Sequence, residues 1–231
     1  DHAIVGELIH ANEYVDVIVP RGGAGLIQFV VKNATVPVIE TGAGICHLYV
    51  DKDADLNKAL TIAVNAKIQR PSVCNAIETI LVHKDVADKF LPELKKAFEK
   101  VEIKGDDATC QIIHCEHVTD DSYATEYDDY IVNIRVVDSV EEAINHIYTY
   151  STKHSESIIT ENDETAVLFM NSLDSACVYH NASTRFSDGG EFGFGAELGI
   201  STQKLHARGP LGLKEMCSYQ YKIEGNGQIR E

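Results

Sequence analysis

The sequence predicts an α/β fold built on a parallel sheet. Two observations carry that expectation. Apolar runs of four to eight residues alternate with stretches of helical spacing, and the strand-like runs end in glycine-containing loops such as Arg21-Gly22-Gly23-Ala24-Gly25 and Thr41-Gly42-Ala43-Gly44. Strand, glycine loop, helix, strand is the order that a parallel layer with crossover helices requires. At 231 residues, 44% apolar and 24% charged, the chain is long enough to bury a sizeable core.

In chain order, residues 3–11 carry an amphipathic helical stripe, Ile4, Val5, Leu8 and Ile9. Val15-Asp16-Val17-Ile18-Val19 reads as a buried strand, 26–32 as a helix, and Val36-Pro37-Val38-Ile39-Glu40 as a second strand. Residues 47–50 give a third strand. Asp53 or Asp55 caps the next helix, whose stripe Leu56, Ala59, Leu60, Ala63, Val64 runs to Gln69. Residues 79–83 form a strand, and Asp85 caps a helix with Val86, Phe90, Leu91, Leu94 and Phe98 on one face. Further strands are expected at 112–113, 131–137, 157–160 and 176–178, with helices near 139–149 and 163–173. Ser139 and Glu142 have the spacing of a capping box. The alternating segment 216–223 reads as a last strand before a polar tail.

Twenty basic against 36 acidic side chains give a net charge of −16, which excludes a phosphate-neutralising stripe and so a nucleic-acid partner. No apolar run approaches the roughly 18 residues of a membrane span. Six scattered cysteines without a CxxC pair favour free thiols and a reducing cytoplasm. The chain opens Asp1-His2, without Met and already inside a helical stripe, as a segment of a longer protein would.

The stretch richest in chemistry is Arg70-Pro71-Ser72-Val73-Cys74-Asn75-Ala76, between a helix that Pro71 stops and an apolar strand. A thiol is nucleophilic as thiolate, and a guanidinium such as Arg70 or nearby backbone N–H groups favour that form, which makes Cys74 a candidate nucleophile. The plainer reading is one small apolar residue among six cysteines. The 21–25 loop has the place of a phosphate-binding turn at a helix N-terminus, but its spacing is neither of the common nucleotide motifs, and a simple tight turn explains it equally. Glu40, ending a strand, is either a general base facing the crevice at the carboxyl edge of a parallel sheet or a solvated strand end. Cys110, His114, Cys115 and His117 fall within eight residues, yet their spacing fits no common zinc site and reads as an ordinary loop, so no metal is expected. Asp120, Asp121, Glu126, Asp128 and Asp129 read as a solvated acidic face. Ser183-Thr184-Arg185 combines hydroxyls and a guanidinium, an anion clamp or a surface turn.

Taken together, Gln69 to Ala76, Pro37-Val38-Ile39-Glu40-Thr41-Gly42, Tyr179 to Phe186 and the long run Gly189 to Pro210 resemble the γ-glutamyl phosphate reductases (glutamate-5-semialdehyde dehydrogenases) of the aldehyde dehydrogenase superfamily. The resemblance covers nearly the whole chain. It implies an aldehyde-dehydrogenase-like catalytic domain at 42–209, preceded by the tail end of a Rossmann-like NADP-binding domain at 1–41 and followed by an oligomerisation strand and tail at 210–231. It implies NADPH-dependent reduction of L-glutamyl 5-phosphate to L-glutamate 5-semialdehyde with release of phosphate, a step of proline biosynthesis, by a cytoplasmic homo-oligomer.

Residue by residue, the resemblance makes Cys74 the nucleophile that forms a thioester and places Glu40 where many superfamily members keep a base. It assigns Pro20, Arg21, Gly22, Gly23 and Gly25 to the cofactor phosphates and Glu126 to the nicotinamide ribose. Arg70, Asn75, Ser183, Thr184 and Arg185 fall to the substrate. Family members are longer, and what is absent lies before Asp1, including the adenosine end of the NADP(H) site and an oxyanion-hole Asn. The alternatives are a folded but catalytically incomplete piece of such an enzyme, and a superfamily relative acting on another acyl phosphate.

Overall fold

The computed structural model describes residues 2–231. Its first part holds two helices, α1 (His2–Leu8) and α2 (Ala24–Asn33). The runs 15–19 and 36–40, expected as strands, meet at a single parallel bridge between Ile18 and Val38. Ile18 N–H donates to Pro37 O at 2.9 Å and Ile39 N–H to Ile18 O at 2.9 Å. Two facts shorten the ladder: Pro37 has no N–H to donate, and an isolated pair of strands is marginal without a third beside it. Ile9, Val30, Val36 and Ile39 are buried and form the core of this part.

From residue 46 onward a seven-stranded sheet organises the chain. Its strands are β1 (Cys46–Val50), β2 (Ile77–His83), β3 (Glu102–Gly105), β4 (Glu116–His117), β5 (Ile131–Val137), β6 (Ser155–Ile159) and β7 (Cys177–His180). They lie in the order β4-β3-β5-β2-β1-β6-β7, and every neighbouring pair is parallel. All residues of β1, β2 and β6 are buried, as expected when helices cover both faces.

The crossover helices are α3 (Leu56–Ile68), α4 (Lys84–Ala97), α5 (Asp107–Ile112), α6 (Asp120–Tyr123), α7 (Val140–Tyr150) and α8 (Asp163–Ser172). Alternation along the strands sorts the core into two. Leu48, Val50, Ile80 and Val82 pack with Ala59, Ala63, Phe90, Leu91 and Leu94 from α3 and α4. Tyr49, Leu81 and Ile158 point the other way, against Ile144 and Ile147 of α7 and Phe169 of α8. The period of two in the strands is thus what lets one sheet hold two helical layers.

Several local readings need correction. The α4 cap is His83, whose Nδ1 accepts from Asp85 N–H at 3.2 Å, rather than Asp85 itself. Ile112 ends a helix and Ile113 caps it; the apolar pair packs inward from a turn and joins no strand. Ser139 does cap α7, but Glu142 reaches back to Asp138 N–H, one residue short of a reciprocal box. The short strands β3 and β4 carry little apolar periodicity and escape the pattern. Residues 209–210 and 200–201 pair as a small antiparallel ladder, β8 (Ile200–Ser201) with β9 (Gly209–Pro210). The segment 216–223 forms no strand: it continues from a short 3-10 turn, Lys214–Met216, and leaves Tyr219, Tyr221 and Ile223 exposed, since alternation marks an apolar face without supplying a paired neighbour.

One charged pair sits inside this apolar frame. Lys67 on α3 and Glu78 on β2 are 0% and 1% exposed and bond Nζ to Oε2 at 2.9 Å. Burial raises the Glu78 carboxyl to about 7, even though the Lys67 charge pulls the other way. An acid whose pKa rises on folding favours the folded state at low pH, and that contribution fades as pH climbs from the unfolded value through about 7. The expected outcome is that E78Q flattens this part of the stability–pH curve, read as a difference in urea midpoint against the unsubstituted chain between pH 5 and 8 (roughly). K67M, which strands the carboxylate, should cost about 3–5 kcal/mol, most of it recovered in the K67M/E78L double variant.

Candidate active site

Cys74 lies in the turn between α3 and β2, on the floor of a cleft of about 600 Å³. Its lining comes from segments that precede β1 (residues 41–43), β2 (70 and 72–75) and β5 (Glu126, Asp128), and from the chain returning after β7 (Arg185, Asp188 and 197–200). The cleft therefore sits at the amino-terminal edge of the seven-stranded sheet, whereas the carboxyl edge is the place expected for Glu40 alone.

Backbone packing fixes the cysteine. A Cβ on Gly44 would fall 1.6 Å from the Cys74 carbonyl oxygen, so only a glycine admits the turn here. Gly44 N–H donates to Glu126 Oε1 at 2.7 Å, which brings that carboxylate to the cleft. The same carbonyl of Cys74 accepts from the buried Cys46 thiol at 3.2 Å. Next along, Asn75 is buried and works as a strut: its Nδ2 donates to Ser187 O at 2.8 Å, its Oδ1 accepts from Arg185 Nη1, and its carbonyl accepts from Thr184 Oγ1 at 2.6 Å. Arg185 Nε is held in addition by Gln69 Oε1 at 2.7 Å. Ser187 in turn bonds Ser155 Oγ at 2.6 Å and Tyr179 Oη at 2.7 Å, linking the Cys74 turn to β6 and β7.

The electrostatics work against ionisation of Cys74. Burial first, then the carboxylates of Glu126 and Glu197, push the Cys74 thiol up to about 11, with Arg21 opposing them. Burial likewise raises Glu126 and Glu197 above the usual carboxylate range. Arg70, the guanidinium expected to favour the thiolate, lines the same cleft, but the cation that acts on Cys74 is Arg21.

The residues singled out from sequence separate into groups. Cys74, Arg21, Gly22, Arg70, Asn75, Glu126 and Arg185 come together in the cleft. Ser183 and Thr184 are buried beside it, with Ser183 Oγ capping the 184–186 turn and the Thr184 hydroxyl turned to Asn75. Glu40 is away from the lining, its backbone N–H donating to Gln203 Oε1 at 2.9 Å and its Oε2 accepting from Gln203 Nε2 at 3.5 Å. Pro20 is buried and its carbonyl accepts from Thr41 Oγ1 at 3.3 Å, while Gly23 caps α2 and Gly25 lies in its first turn. Sequence reading overlooked Gly44, Asp188 and Glu197. Gly44 stood in a noted glycine turn, but nothing local reveals a partner thirty residues ahead; Glu197 was hidden in the glycine-dense run, where it accepts from Gly189 N–H at 2.8 Å. Among the described residues no group of three or more His, Cys, Asp or Glu side chains is placed to hold a metal ion.

The model of the aldehyde dehydrogenase family matches residues 1–125, more than half of the sequence. The chain belongs to the aldehyde dehydrogenase family. Within it, the chain is similar to γ-glutamyl phosphate reductases of Limosilactobacillus reuteri (58% identical) and Alkaliphilus oremlandii (59%). Each match covers 100% of this chain and 56% of the relative. The structure of the Thermotoga maritima γ-glutamyl phosphate reductase superposes with a TM-score of 0.95 at 52% identity, over 100% of this chain and 56% of that one. An acetylating aldehyde dehydrogenase of Geobacillus thermoglucosidasius shares the aldehyde dehydrogenase fold at 15% identity, with a TM-score of 0.72. The chain thus spans about 56% of the length of the curated relatives it matches.

Two outcomes follow from the packing and charge around Cys74. G44A should lower stability by about 3 kcal/mol or more, since the added carbon meets backbone and not a movable side chain; a shift in urea midpoint reads it. E126Q removes the largest charge that holds the thiol up, so iodoacetamide should alkylate Cys74 faster at a fixed pH near 8 (roughly), and the pH profile should move to lower pH. An unchanged profile would mean that Glu126 does not act on Cys74.

Proposed function

We propose that the cleft is the catalytic half of an NADP-dependent glutamate-5-semialdehyde dehydrogenase, which reduces L-glutamyl 5-phosphate to L-glutamate 5-semialdehyde and releases phosphate in proline biosynthesis. The observation that carries this reading is Cys74 on the floor of a cleft that also gathers Arg21, Arg70 and Arg185, in a chain 58–59% identical to γ-glutamyl phosphate reductases. A nucleophile beside guanidiniums suits a substrate whose leaving group is an anion.

The chemistry proceeds from the thiol. Cys74 loses its proton to a base of the cleft, for which Glu126 and Glu197, both raised by burial, are the candidates. The thiolate attacks the acyl carbon, the carbon–oxygen bond to phosphorus breaks, and phosphate leaves with the bonding pair, giving a thioester on Cys74. Backbone N–H groups beside Cys74 stabilise the oxyanion, each typically contributing about 3 kcal/mol. Arg70 and Arg185 hold the substrate's anionic groups, and Asn75, with Ser183 and Thr184 behind it, keeps Arg185 and the Cys74 turn in register.

The residues present suit a dinucleotide. Glu126 presents a carboxylate to the cleft, an acceptor for ribose hydroxyls, and Arg21 and Gly22 line the cleft just before the N-terminus of α2, which has no side-chain cap. Pro20, Gly23 and Gly25 shape that approach to the phosphates. When bound, reduced NADP supplies the hydride that turns the thioester carbon into the aldehyde oxidation level. Collapse of the resulting thiohemiacetal returns Cys74 and frees the semialdehyde. Glu40 receives no step, because the reductive direction consumes no activated water.

Residues 1–41, joined by one bridge and outside the seven-stranded sheet, correspond in this reading to the end of the cofactor domain. Residues 42–209 are the catalytic domain, and 210–231 provide the strand that pairs in a homo-oligomer, for which the exposed Tyr219, Tyr221 and Ile223 supply an alternating face. Six free cysteines fit a cytoplasmic setting, and no helix is long and apolar enough to cross a membrane.

The test uses the protein at the length of its relatives. C74A should abolish NADPH oxidation driven by γ-glutamyl phosphate, and in the unsubstituted protein the loss of activity should run parallel to alkylation of Cys74, not of the exposed Cys217, by iodoacetamide. Retained turnover in C74A would overturn the assignment. A second reading, a relative acting on another acyl phosphate, predicts turnover of acetyl phosphate in place of the glutamyl compound.

A further inference from the structure

Far along the chain from the Cys74 turn, α5 and the edge strand β4 bring two thiols together. Cys110 sits in the last turn of α5, Cys115 just before β4, and their sulfurs are 2.7 Å apart. That is only a little beyond the covalent S–S length of about 2.05 Å. The backbone makes the room. Gly105, which ends β3, lies under the pair, and a Cβ there would press within 2.8 Å of Cys115 Sγ and 2.6 Å of Thr109 Cγ2. The turn itself is held: Cys110 N–H donates to Asp106 O at 2.9 Å, Val118 N–H to Gly105 O at 3.0 Å, and Lys95 Nζ to His114 O. Both thiols are half-buried, within reach of a small molecule, whereas Cys46 and Cys177 are closed off in the core.

We infer that Cys110 and Cys115 form a dithiol modification site that a small disulfide of the glutathione class oxidises to an internal disulfide, tying the end of α5 to the edge of the sheet. Cys110 attacks first, since burial and the bond with Cys110 push the Cys115 thiol up to about 12. The Cys110 thiolate attacks one sulfur of the small disulfide, forming a mixed disulfide and releasing one thiolate. Cys115, on losing its proton, then attacks the Cys110 sulfur and releases the second thiolate. Two protein thiols lose two electrons in all, and the small disulfide gains them as two thiols. The site is independent of the proposed reaction at Cys74.

The sequence supplies a clean readout. No Lys or Arg lies between Lys104 and Arg135, so trypsin releases one peptide, 105–135, whose only cysteines are Cys110 and Cys115. After treatment of the folded chain with oxidised glutathione, then iodoacetamide and non-reducing digestion, this peptide should be two hydrogens lighter and carry no alkyl group. Reductant before alkylation should restore two. C115S, which lacks the resolving thiol, should retain glutathione on Cys110, and C110S should leave Cys115 unmodified. The inference is overturned if the unsubstituted peptide keeps a mixed disulfide, or takes two alkyl groups under conditions that fully modify the exposed Cys217.

Discussion

The site depends on the contact between two backbones, Gly44 before β1 and Cys74 before β2. Neighbouring parallel strands leave their preceding loops side by side, and here the loops touch so closely that a single added carbon would overlap the Cys74 carbonyl. Because that approach uses up the space around Gly44, its N–H is directed at Glu126, and the carboxylate is drawn into the cleft. The same carbonyl of Cys74 is met from below by Cys46 of β1. The position of Cys74, the proposed nucleophile, is therefore set by main chain and by the sheet, while side chains around it are free to carry charge. Such a division suits a catalytic group, since a reacting atom misplaced by an ångström loses much of its rate.

Charge around the thiol is arranged with equal economy. The buried Lys67–Glu78 pair bridges α3 and β2, the elements on either side of the Cys74 turn. The Glu78 carboxylate accepts from the Tyr127 backbone, next to Glu126, and the Lys67 charge lowers Glu126 against the rise that burial causes. Replacing such a pair with apolar groups is often neutral for stability, but here it would leave the Glu126 segment without its anchor. The pair is therefore best understood through what it positions.

Much of this was readable from sequence, and the misses share a cause. The runs Leu48-Tyr49-Val50, Ile80-Leu81-Val82 and Ile158-Ile159 are apolar on successive residues because both faces of the sheet are covered there, and such runs announce a buried parallel sheet. Cys74 stood out because Pro71 ended a helix beside it. Glu126 looked like one of several carboxylates on a solvated face, since nothing in Thr125-Glu126-Tyr127 reveals that Gly44, 82 residues earlier, donates to it. Ser183 and Thr184 were legible as hydroxyls but not as buried ones; Thr184 is oriented by the Asn75 carbonyl, 109 residues earlier, and Ser183 by the turn it caps. The strand expected at 15–19 shrinks to the single bridge between Ile18 and Val38, and the one expected at 216–223 joins no ladder, although both have the right alternation. Alternation specifies which face is apolar and says nothing of whether a neighbouring edge exists.

The balance of charge over the whole chain sharpens the role of the cleft. At −16 the surface field repels a phosphate-bearing substrate and a phosphate-bearing cofactor alike. Against that field the cleft collects Arg21, Arg70 and Arg185, two of them drawn from loops that are far apart in sequence. Arg185 is braced by both Gln69 and Asn75, so its guanidinium is oriented before any anion arrives. The same cleft contains Glu126, Asp128, Asp188 and Glu197, and burial, then Glu126 and Glu197, disfavour the Cys74 thiolate. Burial disfavours the anion at Cys74, Glu126 and Glu197 alike, so forming a thiolate in this cleft costs free energy that contacts with a bound anion's partners must offset.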